Sequence, residues 1–392
     1  MASSDKNEFL IESRTGYAGL YIHFPFCIQK CSYCDFFSIG SGKKQDPLEI
    51  EIFQSYKLEL EGRIHEHPSW LDYNFDTIFF GGGTPSRMDL PSLQNFLTYI
   101  RSRLSVSPNA EFCLEANPED ITKDNLLAWR ELGFTRINMG YQTSHPKYLE
   151  YVGRFYEASI YKEAPKLLVE SGFPTYGYDL IYGFPNQSLE EFRVDLDLLL
   201  EMDPKHLSLY SLTVEKGTQY SREIQEGKKL FPEEELQKEI LEFLPTWMKS
   251  KGWDWYEVSN YCKPGNHSRH NLKYWTLEPY LSLGPSAHGF TGLQRYANPR
   301  NLAAYMKKPT QSKWSSFSLR EEFALSIFRI FYPISMGSFF QQFPGLDIDH
   351  SERIFAKWVK KGLADYDNQT KIFQWKPKSV LQLDEYIFEF CE

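Results

Sequence analysis

The sequence predicts an α/β protein: a partial parallel (βα)6-type, TIM-like barrel followed by a small C-terminal helical, winged-helix-like domain. Three observations predict it. From Tyr17 to about Ser259, short β-rich runs alternate with longer helical patterns. Residues 260–296 break that alternation with Pro264, Gly265, Pro279, Gly284, Pro285 and Gly289. After Ser318, apolar residues return at helical spacing (Phe323, Ile327, Ile330, Phe331, then Phe339, Ile354, Trp358 and Leu363) before a short β-rich run from Lys371 to Trp375.

Taken in order, the expected strands are Leu20 to Phe24, Phe75 to Phe80, Glu111 to Glu115, Arg136 to Met139, Tyr176 to Ile181 and His206 to Ser211, with a seventh at Trp255 to Val258. The strongest helix signal lies between the fifth and sixth strands. There Ser188 and Glu191 form a capping box ahead of Phe192, Leu196, Leu199 and Leu200. The expected division is an N-terminal tail (1–16), a barrel (17–260), an irregular linker region rich in histidine (261–317) and the C-terminal domain (318–392).

Composition narrows the function. Of 392 residues, 42% are hydrophobic and 24% charged, which is globular, and the formal charge of −9 argues against a nucleic-acid binder, whose phosphate contacts need clustered Lys and Arg. The longest run free of Asp, Glu, Lys and Arg, Ile330 to Leu346, is broken by prolines and glycines, so no transmembrane segment is expected; peripheral membrane contact stays open. Met1 to Arg14 shows neither a basic start nor an apolar core of a signal peptide, and the expected location is cytoplasmic.

Of six cysteines, Cys27, Cys31 and Cys34 fall within eight residues just after the first strand. In a reducing compartment, thiolates spaced C-x3-C-x2-C on a tight loop point to a metal centre rather than a disulfide framework. A [4Fe-4S] cluster held by three cysteines leaves one iron open to a small molecule. The alternative is zinc with a fourth ligand such as His23. The run Phe79-Phe80-Gly81-Gly82-Gly83-Thr84-Pro85 is a strand entering a glycine turn, where missing side chains let a ligand reach the backbone. In a βα barrel Cys27, Gly82 to Thr84, Glu115, Gln142 and Asp179 all fall at one rim, where active sites sit. Cys113 reads as core.

These residues resemble the radical S-adenosylmethionine superfamily in its HemN/HemW branch. The resemblance is carried by Tyr21-Ile22-His23-Phe24-Pro25-Phe26-Cys27 with Cys31, Tyr33, Cys34 and Asp35, and by the segments beginning at Gly81, Glu115, Gly140, Gly153, Asp179 and Tyr256. It runs from about Tyr17 to the final helices. It implies that Cys27, Cys31 and Cys34 hold a [4Fe-4S] cluster. Tyr21, Gly82, Gly83, Thr84, Glu115, Gln142, Arg154 and Asp179 then stand at contacts to S-adenosylmethionine, with Arg154 suited to a carboxylate. The run His270-Asn271-Leu272-Lys273-Tyr274 matches an H-N-x-x-Y motif associated with haem, which implies haem contacts for His270, Asn271 and Tyr274, with His267 and Cys262 as alternative metal ligands.

Within that branch the resemblance implies one of two principal activities. One is a haem chaperone that binds haem and passes it to an acceptor protein. The other is an oxygen-independent coproporphyrinogen III oxidase, a radical decarboxylase; a radical methyltransferase is a third, lesser reading. The decarboxylases continue the motif with a further cysteine two residues after the third, whereas here Cys34 is followed by Asp35 and Phe36. Only 26 residues precede Cys27, which leaves little room for the decarboxylases' amino-terminal extension. The expectation is therefore the haem chaperone, without coproporphyrinogen oxidase activity and with no residue assigned a catalytic role. The acceptor protein and the electron donor are not named by the sequence.

Overall fold

In a computed structural model the chain folds as two compact units, described over residues 9–40, 42, 48–154, 157–316 and 318–392. The larger comprises Gly16–Gln237 and Pro279–Ser315; the other comprises the N-terminal residues to Thr15, Lys238–Glu278 and Ser316–Glu392. The units interleave along the chain, a different partition from consecutive blocks ending at 260 and 317. The reason lies in one hidden strand, described below.

In chain order the strands are β1 (Tyr17–Phe24), β2 (Asn74–Gly82), β3 (Ser105–Ala116), β4 (Arg136–Gln142), β5 (Thr175–Tyr182), β6 (His206–Ser211), β7 (Asp254–Glu257), β8 (Asn260–Cys262), β9 (Tyr280–Leu283), β10 (His288–Phe290), β11 (Arg295–Ala297) and β12 (Lys313–Ser315). The larger unit orders its strands β12-β11-β10-β9-β1-β2-β3-β4-β5-β6. From β9 through β6 they run parallel. This is the expected α/β architecture, and each of the first six strands lies where its β-rich run predicted.

The seventh expected strand, Trp255 to Val258, forms as β7 over Asp254–Glu257, but it pairs antiparallel with β8 in the other unit; the parallel strand beside β1 is β9, which the sequence did not show. Periodicity hid β9 because all four of its residues are buried and it is flanked by turn residues. Its return to β1 carries 279–315 back into the barrel unit. A buried network ties it there: Glu59 on α1 (Glu49–Glu66) accepts from the Gly284 N–H at 2.9 Å and pairs with Arg63, 2.9 Å away, whose guanidinium also donates to Asn298.

The helices between the strands present apolar faces to the sheet: α2 (Leu90–Arg103), α3 (Lys123–Leu132), the short α4 (Pro146–Tyr151), α5 (Ala158–Glu170), α6 (Leu189–Glu201) and α7 (Gln219–Gln225). In α6 the Ser188/Glu191 capping box forms as read, and Phe192, Leu196 and Leu199 are buried. A long helix, α8 (Glu234–Ser250), follows.

In the smaller unit α9 (Arg269–Trp275) is followed, beyond the short barrel helix α10 (Leu302–Lys307), by α11 (Leu319–Ile327), α12 (Met336–Gln342), α13 (Ile348–Lys360) and α14 (Leu383–Cys391). A three-stranded sheet of Ile334–Ser335, Ile372–Trp375 and Ala364–Asp367 completes it. Its core is aromatic, with Phe328, Phe355, Trp358, Phe373, Trp375 and Phe390 in mutual ring contact. Among the described residues no helix is long and apolar enough to cross a membrane.

Candidate functional site

Strand parity builds the site. Every second residue of a strand faces the same side, and the register runs Ser282–Tyr21–Phe79–Cys113–Arg136 across one level and Glu115–Asn138–Gly177–His206 across the next, with Asp179 beside Ser208. That inner face is polar, and its floor is closed by the buried Arg136–Glu111 pair at 3.0 Å. On β1 and β5, where neighbours are wholly buried, Tyr21 and Asp179 stay partly open to solvent; Gly82, Gly83, Glu115 and Arg154 do likewise. These six of the positions the sequence singled out are half-open and mark a recess at the C-terminal ends of the strands, whereas Thr84 and Gln142 are buried.

The glycine turn is shaped by close approach. A β-carbon at Gly82, whose φ is +109°, would come within 2.7 Å of the His23 ring, and one at Gly83 would meet the carbonyl oxygens of Phe24 and Phe26 at 2.8 and 2.7 Å. Only glycine fits. The turn's N–H groups are spent on protein partners: Gly82 donates to Glu115 Oε2 (3.2 Å), Gly83 to Phe24 (2.6 Å) and Thr84 to Phe26 (2.9 Å). An ammonium only donates, so a ligand ammonium here would meet the turn's carbonyl oxygens.

Burial, then the charge of Asp179, pushes the Glu115 carboxyl up to about 8. Burial also lifts Asp179 to about 6, against a hydrogen bond from Ser208 and the charge of Arg154. Asn138 stands between Glu115 and Gly177 in register, and its Oδ1 is buried without a protein partner. Gln142 holds a left-handed φ of 70°, rare for a side chain larger than glycine. What fixes it is Asp195 on α6, fully buried, which accepts from Thr143 Oγ1 (2.7 Å) and Ser144 N (2.6 Å).

The three cysteines lie on the loop after β1 and are all partly exposed. Burial raises the Cys27 thiol, against the opposing pull of the neighbouring Thr84 and Ser38 side chains. Burial and then repulsion from Cys31 push Cys34 up to about 11. Cys27 and Cys34 resist ionising because burial and a neighbouring thiolate penalise their negative charge, and a cationic iron centre would offset that penalty, so the donor set fits a cluster. Arg154 adds a donor: its Nε lies 3.3 Å from Cys31 Sγ, while its terminal nitrogens reach Gly140 O (2.8 Å) and Asn117 Oδ1 (2.7 Å). The sequence singled out Arg154 for a ligand carboxylate, and the fold also ties it to a cysteine. Asn117 is the partner that sequence reasoning missed, although it stands inside the run Glu115-Ala116-Asn117-Pro118.

Zinc fits less well. His23 is buried, with Nδ1 3.1 Å from Tyr21 Oη and Nε2 2.7 Å from Phe37 O, and burial depresses its pKa to about 4. Both ring nitrogens are committed to protein partners. Among the described residues no three His, Cys, Asp or Glu side chains converge on a point where one ion would sit. Cluster cysteines each bind a different iron and stand farther apart than donors sharing one zinc.

The H-N-x-x-Y residues lie in the smaller unit. They are helical, not loop: Ser268 caps α9 by accepting from the Asn271 N–H, which puts His270 and Tyr274 one turn apart. His270 is fully buried, with Nε2 3.0 Å from Tyr274 Oη. Cys262 is buried against Tyr332 Oη at 3.6 Å; His267 is partly exposed, its ring packed against Phe9 and Tyr332.

Comparison with known proteins agrees with this geometry. The Radical SAM superfamily model matches residues 21–199. The haem chaperone HemW of Escherichia coli K12 is 35% identical over 270 residues, 69% of each chain. HemW of Bacillus subtilis is 34% identical over 289 residues (73% of this chain, 74% of that one), and HemW of Mycobacterium tuberculosis is 32% identical over 289 residues, 73% of each. The solved structure of coproporphyrinogen III oxidase (HemN) from E. coli, a radical SAM enzyme, superposes with a TM-score of 0.76 over 95% of this chain and 90% of its own at 20% identity, a likeness of fold. On identity and coverage together, this chain belongs to the HemW family.

Proposed function

We propose that the protein is a haem chaperone: it binds haem and passes it to an acceptor protein, and it carries a [4Fe-4S] cluster on Cys27, Cys31 and Cys34 with S-adenosylmethionine in the recess beside it. The observation that carries this reading is identity of 32–35% with haem chaperones over about 70% of both chains. The loop after Cys34 supports it. Where the decarboxylases have a further cysteine, Phe36 is 65% exposed, and Asp35 is paired with Arg300 at 2.7 Å.

In the recess, Tyr21, Gln142, Glu115 and Asp179 orient the nucleoside and amino-acid parts of the cofactor, Arg154 faces its carboxylate, and the carbonyls of Gly82 and Gly83 receive its ammonium. The cluster's open iron would bind the cofactor and supply redox chemistry when present. His270 serves haem, with Asn271 and Tyr274 shaping its surroundings. Because the His270 ring is enclosed and bonded to Tyr274, an iron reaches it only after that hydrogen bond opens.

The test is anaerobic incubation of cluster-reconstituted protein with reductant, S-adenosylmethionine and coproporphyrinogen III, read by mass spectrometry, alongside a haem titration read in the Soret band. Saturable haem binding with no loss of carbon dioxide is expected. Stepwise loss of carbon dioxide would make the protein a decarboxylase.

A further inference from the structure

Between Cys31 and Cys34 lies Ser32, a residue no motif claims, and it is only 4% exposed. The rest of the cluster loop is partly open, so something grips it here. Its N–H donates to Val152 O (3.1 Å) and its carbonyl accepts from Tyr220 N at the start of α7 (2.8 Å). Its hydroxyl meets Lys229 Nζ at 3.2 Å.

Lys229 is unusual for a lysine. Its side chain is 17% exposed, and the ammonium also donates to Tyr151 O (2.6 Å), pairs with Glu223 (2.8 Å), and lies 4.9 and 5.7 Å from the rings of Tyr151 and Tyr220. The ammonium thus donates to Ser32 and Tyr151 and pairs its charge with Glu223, groups that belong to three different segments. The next residue completes the clasp: Leu230 N and O are each 3.1 Å from Tyr151 Oη, and Leu230 O accepts from Tyr220 Oη at 2.9 Å. The turn after α7 thus closes over the cluster loop and the segment after α4 together. A surface ion pair would need none of this; an ammonium desolvated against two aromatic faces and a buried hydroxyl is a fixed point.

We propose that Lys229 is a positioning residue that locks Ser32, and with it the Cys31–Cys34 arm, in the conformation that retains the iron–sulfur cluster. The inference rests on the reading of the three cysteines as cluster ligands. Lys229 touches neither cysteine nor cofactor; it acts through Ser32 and the Tyr151/Tyr220 clasp. Groups one shell beyond metal ligands change metal retention by about 10- to 100-fold when removed.

The experiment compares reconstituted full-length wild type, Lys229→Met, Lys229→Arg and Lys228→Met, the last altering an exposed neighbour paired with Glu226. Iron release to a chelator is followed anaerobically by absorbance, together with the electron paramagnetic resonance signal of the reduced cluster and the melting of each cluster-free protein. Lys229→Met is expected to release iron about tenfold faster or more, with a broadened or shifted signal, while melting like wild type. Lys229→Arg restores slow release, and Lys228→Met matches wild type. Release from Lys229→Met at the wild-type rate would overturn the proposal. So would faster release that Lys229→Arg fails to rescue and that tracks a lowered melting temperature, since that marks a merely structural role. A wild-type protein that takes up no cluster would sink the cluster reading itself, and this inference with it.

Discussion

Replacing Glu115 by glutamine tests the electrostatics of the recess most directly. The carboxyl sits on β3 under the glycine turn, and burial followed by the charge of Asp179 raises it from 4.5 to about 8. A raised folded-state pKa means that the folded protein holds the proton longer than the unfolded chain does. The stability this group contributes is therefore complete below about pH 4.5 and is lost as pH climbs through about 8. At 1.36 kcal/mol per pH unit the whole interval amounts to about 5 kcal/mol. Glu115 keeps part of its surface open to the recess, and water there screens it, so about 2 kcal/mol is the expected change. Glutamine keeps the shape and the acceptor for Gly82 but cannot ionise. Urea denaturation of the cluster-free protein, from about pH 5 to about pH 8.5, should show wild type losing about 2 kcal/mol relative to Glu115→Gln. The residual slope from Asp179, raised to about 6, stays in both proteins. Parallel curves for the two would mean that Glu115 titrates as an ordinary carboxylate and that the recess is a solvated cleft.

Three further outcomes follow from named contacts. His270→Ala should weaken haem binding, seen as a shifted Soret titration, while the cluster's absorbance stays intact; unchanged affinity would take His270 out of the haem site. Gln142→Gly relieves a left-handed φ that costs a non-glycine residue about 1 kcal/mol, so its melting temperature should hold or rise while S-adenosylmethionine binds more weakly by calorimetry. A large fall in melting temperature would show that the Gln142 side chain serves packing instead. Arg63→Met leaves Glu59, fully buried, without its cation, and should destabilise the protein by about 3–5 kcal/mol in chemical denaturation; adding Glu59→Gln should recover part of that, and equal losses in the single and double variants would contradict an ion-pair role.

How much was legible in the sequence varies with the range of the interaction. Where a short pattern specifies its own geometry, reading succeeded: the Ser188 capping box starts α6, and the first six parallel strands lie on their β-rich runs. The C-x3-C-x2-C loop and the glycine turn were visible because chemistry demands those residue types in those spacings. Glu115 and Asp179 came from their places at or near the ends of the third and fifth strands, which a βα barrel gathers at one rim.

What escaped were contacts between segments far apart in the chain. The strand beside β1 comes from residues 280–283, and no local signal says that a four-residue buried run after a proline-rich stretch closes a sheet. Arg154 was singled out for a ligand carboxylate, but only the fold brings Cys31, Gly140 and Asn117 to it. His270 was marked by its motif, but only the Ser268 cap and the bond to Tyr274 set it on a helix with its ring enclosed. Lys229 carries no motif at all. The residue types that can hold iron, sulfonium and haem are local chemistry, and the sequence by itself determined them; which donors meet, which are buried and what holds the cluster loop depend on separations of tens to hundreds of residues, and only the tertiary structure decided those.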